Sequence, residues 1–386
     1  MINEKQNQFS KSKQLNVCIV GGGNIGSLLL GDIGSKSNVS VRLFTSSPEK
    51  WNDVIDVCSI DNSVKYSGKI DLISNKPQEV IGDADIILFT VPSNIFLSIF
   101  LKIKPFIKPK TWVGVMPGNG GIEFYAKEIA ETGCTLFGFQ RVHGISRVKE
   151  YGKSVYDLGK KREVHIAAIP SERTTEVCSV MEGLLDLACN PLPNYLNITL
   201  TPSNPILHTT RLYSLFHDYH GDLYWDRIID FYEEWTNESS RMLIACDEEL
   251  QKLCSKLKGL DLTGVKSLKE HYESKTPEML TDKISNIPAF KGIKSPMLKA
   301  ERGYIPDFQS RYFLEDFPYG LCIIKGFCDV VGIDTPAINK VLWWYEKIAG
   351  VSYYRDGEFN GVDLVDLPLP QNYGLKSIED IIKYYM

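Results

Sequence analysis

Short, mainly apolar β-rich runs, separated by polar stretches containing Gly and Pro, dominate the first half of the chain. LNVCIV (15–20), VSVRLF (39–44), ADIILFTV (84–91), TWVGVM (111–116), CTLFGF (134–139) and VHIAAI (164–169) all have strand length. Continuous rather than alternating hydrophobicity belongs to strands buried on both faces. Segments of helical length lie between several of them, and strand–helix alternation predicts an α/β fold with a doubly wound, Rossmann-type parallel sheet. From about residue 195 the period changes. YWDRIIDFYEEWTNESSRMLIACDEELQKLCSKL (224–257) carries apolar residues at helical spacing, as do YGLCIIKGFCDVVG (319–332), with Gly332 as its stop, and AINKVLWWYEKIAG (337–350). No strand series is expected there, and 258–310 reads as a long irregular or mixed connection. The expected organisation is a disordered lead over 1–14, an α/β domain over 15–194 and an all-helical domain over 195–386.

The stretch VCIVGGGNIGSLLLGDIG (17–34) gives the α/β half its chemistry. Gly21, Gly23 and Gly26 form GxGxxG directly after a strand and at the start of a helix. The first permits a tight turn, the second lets a pyrophosphate reach the backbone, and the third lets helix and strand pack closely. With Asn24 and Ile25 they predict a dinucleotide site at a helix N-terminus, where N–H groups and the dipole favour phosphate. NAD binders usually place an acid at the end of the second strand. Here that end reads LFTSSPEKW, with no acid at Thr45, Ser46 or Ser47. Ser47 and Pro48 resemble an N-cap and first helical residue, with Lys50 one turn in, which would suit a 2′-phosphate. The prediction is NADP(H) in preference to NAD(H). Val91 and Pro92, in the turn TVPSN, are placed near the nicotinamide, although an ordinary strand-ending turn reads the same.

Composition removes other classes. With 43% hydrophobic and 24% charged residues and a net charge of −5, the chain has no basic field for nucleic acid. No apolar run approaches the ~18 residues of a membrane span, and the first fourteen residues lack the apolar core of a signal peptide. Nine cysteines are scattered without a CxxC pair, so no metal site is predicted and a reduced, cytoplasmic protein is expected. A homodimer acting on small molecules is the expected form.

Two stretches of the helical half could carry catalysis. In TPSNPILHTTRLYSLF (201–216), Asn204 before Pro205 reads as a cap, which puts His208 on the first helical turn; His is the side chain most easily poised for proton transfer. In SRYFLEDFPYGL (310–321), Asp316 either caps the following helix or accepts from His208. Arg311 either pairs with Glu315 one turn away or forks onto a substrate carboxylate. Spacing leaves both pairs of readings open.

Taken together, VGGGNIG, FTSSPEKW, FQRVHGISRVKEYGKSV, SNPILHTTRLYSLF, NIPAFKGIKSPM and RYFLEDFPYGL resemble the octopine/nopaline (opine) dehydrogenase family, in family order over nearly the whole chain. Within it they look most like the dehydrogenases that finish opine-type metallophores such as staphylopine and pseudopaline. The resemblance implies that His208, of NPxxxH, and Asp316, of RYxxEDxPxGL, are the catalytic pair. It further implies that Arg311 lies at the keto-acid site and that Gln140 and Asn204 also meet substrate. One departure is His143, where that branch carries Pro after QRV, in a strip near the amino donor. The implied reaction is an NAD(P)H-dependent reductive condensation of an α-keto acid with the amine of an amino acid or aminobutyryl amino acid. Two rival classes share parts of the plan: a 2-hydroxy-acid or ketopantoate-type reductase, which would call for a Lys acid where SNPILH offers His, and a non-catalytic dinucleotide sensor.

Overall fold

The computed structural model describes residues 14–386, so the expected disordered lead lies outside the described residues except for Gln14. The chain folds as two compact units. The first holds the described residues up to Gly118 together with Tyr125–Ile198; the second holds Asn119–Phe124 and Thr199–Met386.

The first unit is built on an eight-stranded sheet. Its order is β12 (Ala188–Pro191), β11 (Glu163–Ile169), β8 (Thr135–Phe139), β7 (Trp112–Val115), β6 (Ile86–Phe89), β1 (Leu15–Val20), β2 (Val39–Phe44) and β5 (Leu72–Ser74). Every pairing from β5 to β8 is parallel, as expected for buried apolar runs joined by crossovers. The expected parallel sheet is present with one departure: β11 lies antiparallel to β8, with Ile166 opposite Phe139. The connection explains the reversal. Between β8 and β11 the chain makes no helical crossover but a hairpin, β9 (Gly144–Glu150) and β10 (Ser154–Lys160). That hairpin joins β3 (Val54–Cys58) and β4 (Val64–Lys69) in a second, four-stranded sheet of order β4-β3-β10-β9, which the sequence reading lacks.

The second unit is mainly helical, with helices Ser203–Phe216, Asn237–Lys256, Pro277–Ser285, Cys322–Val331, Pro336–Ala349 and Ile378–Tyr385. It is not all-helical: β13 (Met297–Ala300) and β14 (Gly303–Pro306) form an antiparallel ribbon inside the stretch read as irregular. The long helix expected from 224 begins only at Asn237, where Thr236 accepts a hydrogen bond from Ser239 N (3.2 Å) and caps it. Residues 224–236 instead run as turns, bridged to Tyr304 and Lys294 through Trp225 and Asp230. Helix Cys322–Val331 ends at Gly332 in the left-handed region (φ 73°), as the glycine signal predicts. Its core is aromatic: Phe317 stacks on Tyr345 with ring centroids 4.0 Å apart, and Phe313 lies parallel to both. Burying each such ring contributes about 1.5–3 kcal/mol.

Glu123, in the short segment Asn119–Phe124, is wholly buried. Thr199 and Tyr385 hydroxyls donate to its Oε1, the latter at 2.6 Å. Burial pushes this carboxyl up to about 7, against only partial relief from those two donors. An acid that ionises later in the folded than in the unfolded chain contributes stability below pH ~4.5 and loses it as the pH rises through ~7. Glu123→Gln removes the titration. In urea melts the variant is therefore expected to gain on the parent as the pH rises from about 4.5 to about 7, by on the order of 1.4 kcal/mol per pH unit, and to gain no more above that. Parallel pH dependences would mean that Glu123 is ionised in the fold.

Candidate active site

In the first unit, β1 delivers the chain into a turn at Gly21 (φ +105°), and Gly23 then stands in extended conformation as the cap of the eleven-residue helix Asn24–Gly34. No side chain caps that helix. A Cβ placed on Gly23 would meet no protein atom within 4 Å, whereas one on Gly26 would fall 2.0 Å from Gly21 O and 2.7 Å from Thr90 Oγ1. The third glycine thus serves packing inside the protein, and the second borders open space beside uncapped N–H groups. That combination fits a pyrophosphate. Thr90, which the sequence reading passed over, fixes the turn, its hydroxyl shared between Val20 O (3.2 Å) and Gly21 O (3.1 Å). A Thr directly after a central strand, facing the glycine turn, was the available signal. Val91 lies against the same turn and Pro92 precedes helix Ser93–Ile103. Ile25 is half-buried, and the Asn24 side chain is committed to β9, its Oδ1 accepting from Val148 N at 2.8 Å.

The second expected anion site does not form as a helix start. Pro48–Lys50 is a single 3₁₀ turn and the Ser47 side chain caps nothing. Instead Thr45 Oγ1, on a buried residue, accepts weakly from Ser47 N (3.4 Å). The chain cannot continue helically because Trp51 is drawn into the core against Gly22 and β3 starts at Val54. Ser46 and Lys50 remain exposed beside this turn.

Two residues of the QRV strip are also placed here. Gln140 is buried and directs its amide to Asn197 O (3.4 Å). His143 is 0% exposed, with Nε2 2.9 Å from Asp32 and Nδ1 3.2 Å from Met116 Sδ. Burial alone would raise the Asp32 carboxyl, but hydrogen bonds from His143, Lys160 and Tyr66 hold it below the usual range. His143 therefore ties the glycine helix to its neighbours, both ring nitrogens being engaged inside the protein.

The second unit contains a separate constellation. Helix Ser203–Phe216 starts two residues earlier than expected, after Pro202, so Asn204 lies within its first turn and caps nothing, and His208 lies in its second turn. The buried imidazole is held at both nitrogens: Nδ1 is 2.8 Å from Asp316 Oδ2 and Nε2 is 2.8 Å from the Tyr232 hydroxyl. Tyr312 (4.7 Å between centroids) and Phe231 (5.6 Å) meet its ring edge-on. Asp316 does occupy the cap position of the π-turn Phe317–Leu321, but its side chain makes no capping bond there. Of the two readings left open, the carboxylate follows the one directed at His208. A π-turn at this place lets Asp316 aim sideways before helix Cys322–Val331 begins. Arg311 is not drawn into the dyad: it opens the turn Arg311–Leu314, is 67% exposed, and pairs with Glu315 at 3.1 Å. The structure thus joins His208 to Asp316, adds Tyr232, and leaves Arg311 at the surface.

Tyr232 was hidden because 224–236 imitates a helical period. Arg211, one turn beyond His208 and 1% exposed, donates to Phe231 O (2.8 Å), Glu234 O (2.7 Å) and Asp230 O (3.4 Å), which takes those carbonyls out of any helix. Carboxylate, imidazole and phenol in a row can store a proton and pass it on. Among the described residues, no group of three or more His, Cys, Asp or Glu is placed to hold a metal, and no helix is long and apolar enough to cross a membrane.

Comparison with known proteins gives these features a lineage. Residues 191–349 match the family model for the NAD/NADP octopine/nopaline dehydrogenase alpha-helical domain. The chain is 29% identical over 405 residues to tauropine dehydrogenase of Arabella iricolor, covering 95% of this chain and 99% of that one. It is 26% identical over 398 residues to octopine dehydrogenase of Mizuhopecten yessoensis, covering 95% and 98%. A solved octopine dehydrogenase with NADH and L-arginine shares the fold at a TM-score of 0.84 and 24% identity, over 96% of this chain and 98% of that one. Residues 191–349 thus match the alpha-helical domain of the octopine/nopaline dehydrogenases, and along 95% of its length the chain is similar to tauropine and octopine dehydrogenases.

Proposed function

We propose that this protein is an opine dehydrogenase that joins an α-keto acid such as pyruvate to the amino group of an amino acid and reduces the resulting imine to a secondary amine. The observation that carries the reading is the His208–Asp316 contact. Imine formation needs one group that both takes and returns a proton, and an imidazole oriented by a carboxylate does so near neutral pH. The dinucleotide supplies hydride. In the first unit the uncapped helix N-terminus anchors phosphate; in the second, Asp316 fixes the His208 tautomer and the exposed Arg311 can turn from Glu315 towards a substrate carboxylate. Gln140 is read as a support of the substrate strip and Asn204 as part of the NPxxxH turn that presents His208.

NADPH is proposed as the preferred reductant. The support is the absence of an acid at Thr45–Ser47 and the exposed Lys50 beside them. Lys50→Ala is expected to raise KM for NADPH several-fold and leave NADH unchanged. A parent enzyme that prefers NADH refutes this part alone.

The reaction itself is tested by NAD(P)H oxidation with pyruvate and a panel of amines, followed by product mass. L-arginine, the ligand in the solved octopine dehydrogenase, heads the panel, and aminobutyryl amino acids of the metallophore type close it. Oxidation that requires both keto acid and amine supports the proposal. Oxidation with the keto acid alone would make the protein a hydroxy-acid reductase, and none with any pair would leave a nucleotide sensor.

A further inference from the structure

Resting on that reading, we infer that the Tyr232 hydroxyl is a catalytic residue, the relay through which protons pass between substrate and His208. The imidazole has two nitrogens, and Asp316 occupies one of them. The other, the nitrogen that has to exchange protons, is met by Tyr232 at 2.8 Å, and His208 is only 7% exposed. A proton leaving Nε2 therefore has a phenol oxygen as its neighbour.

The surroundings hold that oxygen in place. Tyr232 stacks on Phe290 (centroids 4.1 Å apart, planes 18° apart) and lies parallel to Trp235 at 6.3 Å. Arg211 clamps the backbone carbonyls on both sides of it, at Phe231 and Glu234, and its guanidinium lies 5.4 Å from the Trp235 ring. A buried Arg is a costly way to fix a loop. Here it sits three residues after His208 on the same helix, so one helix turn positions the imidazole and the phenol together.

The proton sequence balances without an added reagent. The substrate ammonium gives a proton to the Tyr232 oxygen as the Tyr232 O–H bond breaks towards His208 Nε2 and the imidazole becomes charged; the freed amine attacks the keto carbon, the C=O π bond opens to an alkoxide, and that oxygen takes a proton from the newly bonded nitrogen to give the carbinolamine. After the addition, the same protons move in reverse. His208 Nε2–H returns its proton to the Tyr232 oxygen while the Tyr232 proton passes to the carbinolamine hydroxyl, the C–O bond breaks and water leaves. No electrons are exchanged, His208 and Tyr232 end as they began, and hydride transfer follows.

The test uses the full-length enzyme with pyruvate and the best amine of the panel. Tyr232→Phe keeps the ring on Phe290 and removes only the hydroxyl. It is expected to lower kcat at least tenfold while KM for NAD(P)H stays within twofold. Replacing Tyr232 with difluorotyrosine, whose phenol is more acidic, is expected to retain most activity and move the alkaline limb of kcat to lower pH. A kcat and pH profile unchanged in both variants would overturn the relay and leave the dehydrogenase reading intact. A parent enzyme with no amine-dependent turnover would overturn both.

Discussion

His208→Ala is expected to lower kcat by about 10²- to 10⁴-fold, the range over which a positioned acid–base group acts. The side chain sits in the second unit, while the glycine turn and its helix belong wholly to the first, so nucleotide binding measured by fluorescence titration is expected to remain. Asp316→Asn is the partner measurement. Its carboxylate makes no capping bond, so the substitution is expected to cost activity far more than melting temperature, because an amide at 2.8 Å from Nδ1 can stabilise the wrong tautomer. If Asp316→Asn lost only stability, the carboxylate would be a structural element of the π-turn. Full activity in His208→Ala would remove the proposed mechanism and leave the dinucleotide site standing.

The second large effect separates two glycines three residues apart. In Gly26→Ala the new methyl would fall 2.0 Å from a backbone carbonyl, a contact that no rotamer relieves. Overpacking of this kind costs about 1–3 kcal/mol or more, and here the helix must back away from the strand that carries the turn. Both melting temperature and nucleotide binding are expected to fall. In Gly23→Ala the methyl meets nothing within 4 Å of protein. Stability is expected to change by less than about 1 kcal/mol, while KM for the nucleotide rises tenfold or more because the methyl takes up room at the uncapped helix start. Thermal melts of the two variants with and without nucleotide decide the matter. Equal losses of stability would mean that the Gly23 position is a packing site, not a ligand cradle.

These contrasts also show which parts of the molecule were legible in the sequence. β6, β7 and β8 could be read because strands buried on both faces leave nearly continuous apolar runs, and β1, β2 and β11 because apolar and β-branched residues dominate them. β4, β9 and β10 could not, since Lys, Ser, Arg or Asp recur along them, and β3 is a run of only five residues. The helix at 224–257 was overread by thirteen residues. YWDRIIDFYEEW has the apolar spacing of a helix, but its side chains pack as turns and Arg211 holds its carbonyls. Thr236, an N-cap residue type, was the start signal available. His208 and Asp316 lie 108 residues apart in the chain, so no spacing rule joins them; the family likeness did. Tyr232 had neither a pattern nor a motif to mark it.

The bare start of helix Asn24–Gly34 has a thermodynamic consequence. A missing N-cap leaves about 0.5–2 kcal/mol unclaimed in most helices. On the proposed function, a nucleotide phosphate would take the place of the cap here. A ligand that binds only the folded chain stabilises it by about 2.7 kcal/mol at a hundredfold excess over its Kd. On that reading the stability of the α/β unit is expected to follow the nucleotide pool around it, rising as dinucleotide saturates the glycine turn.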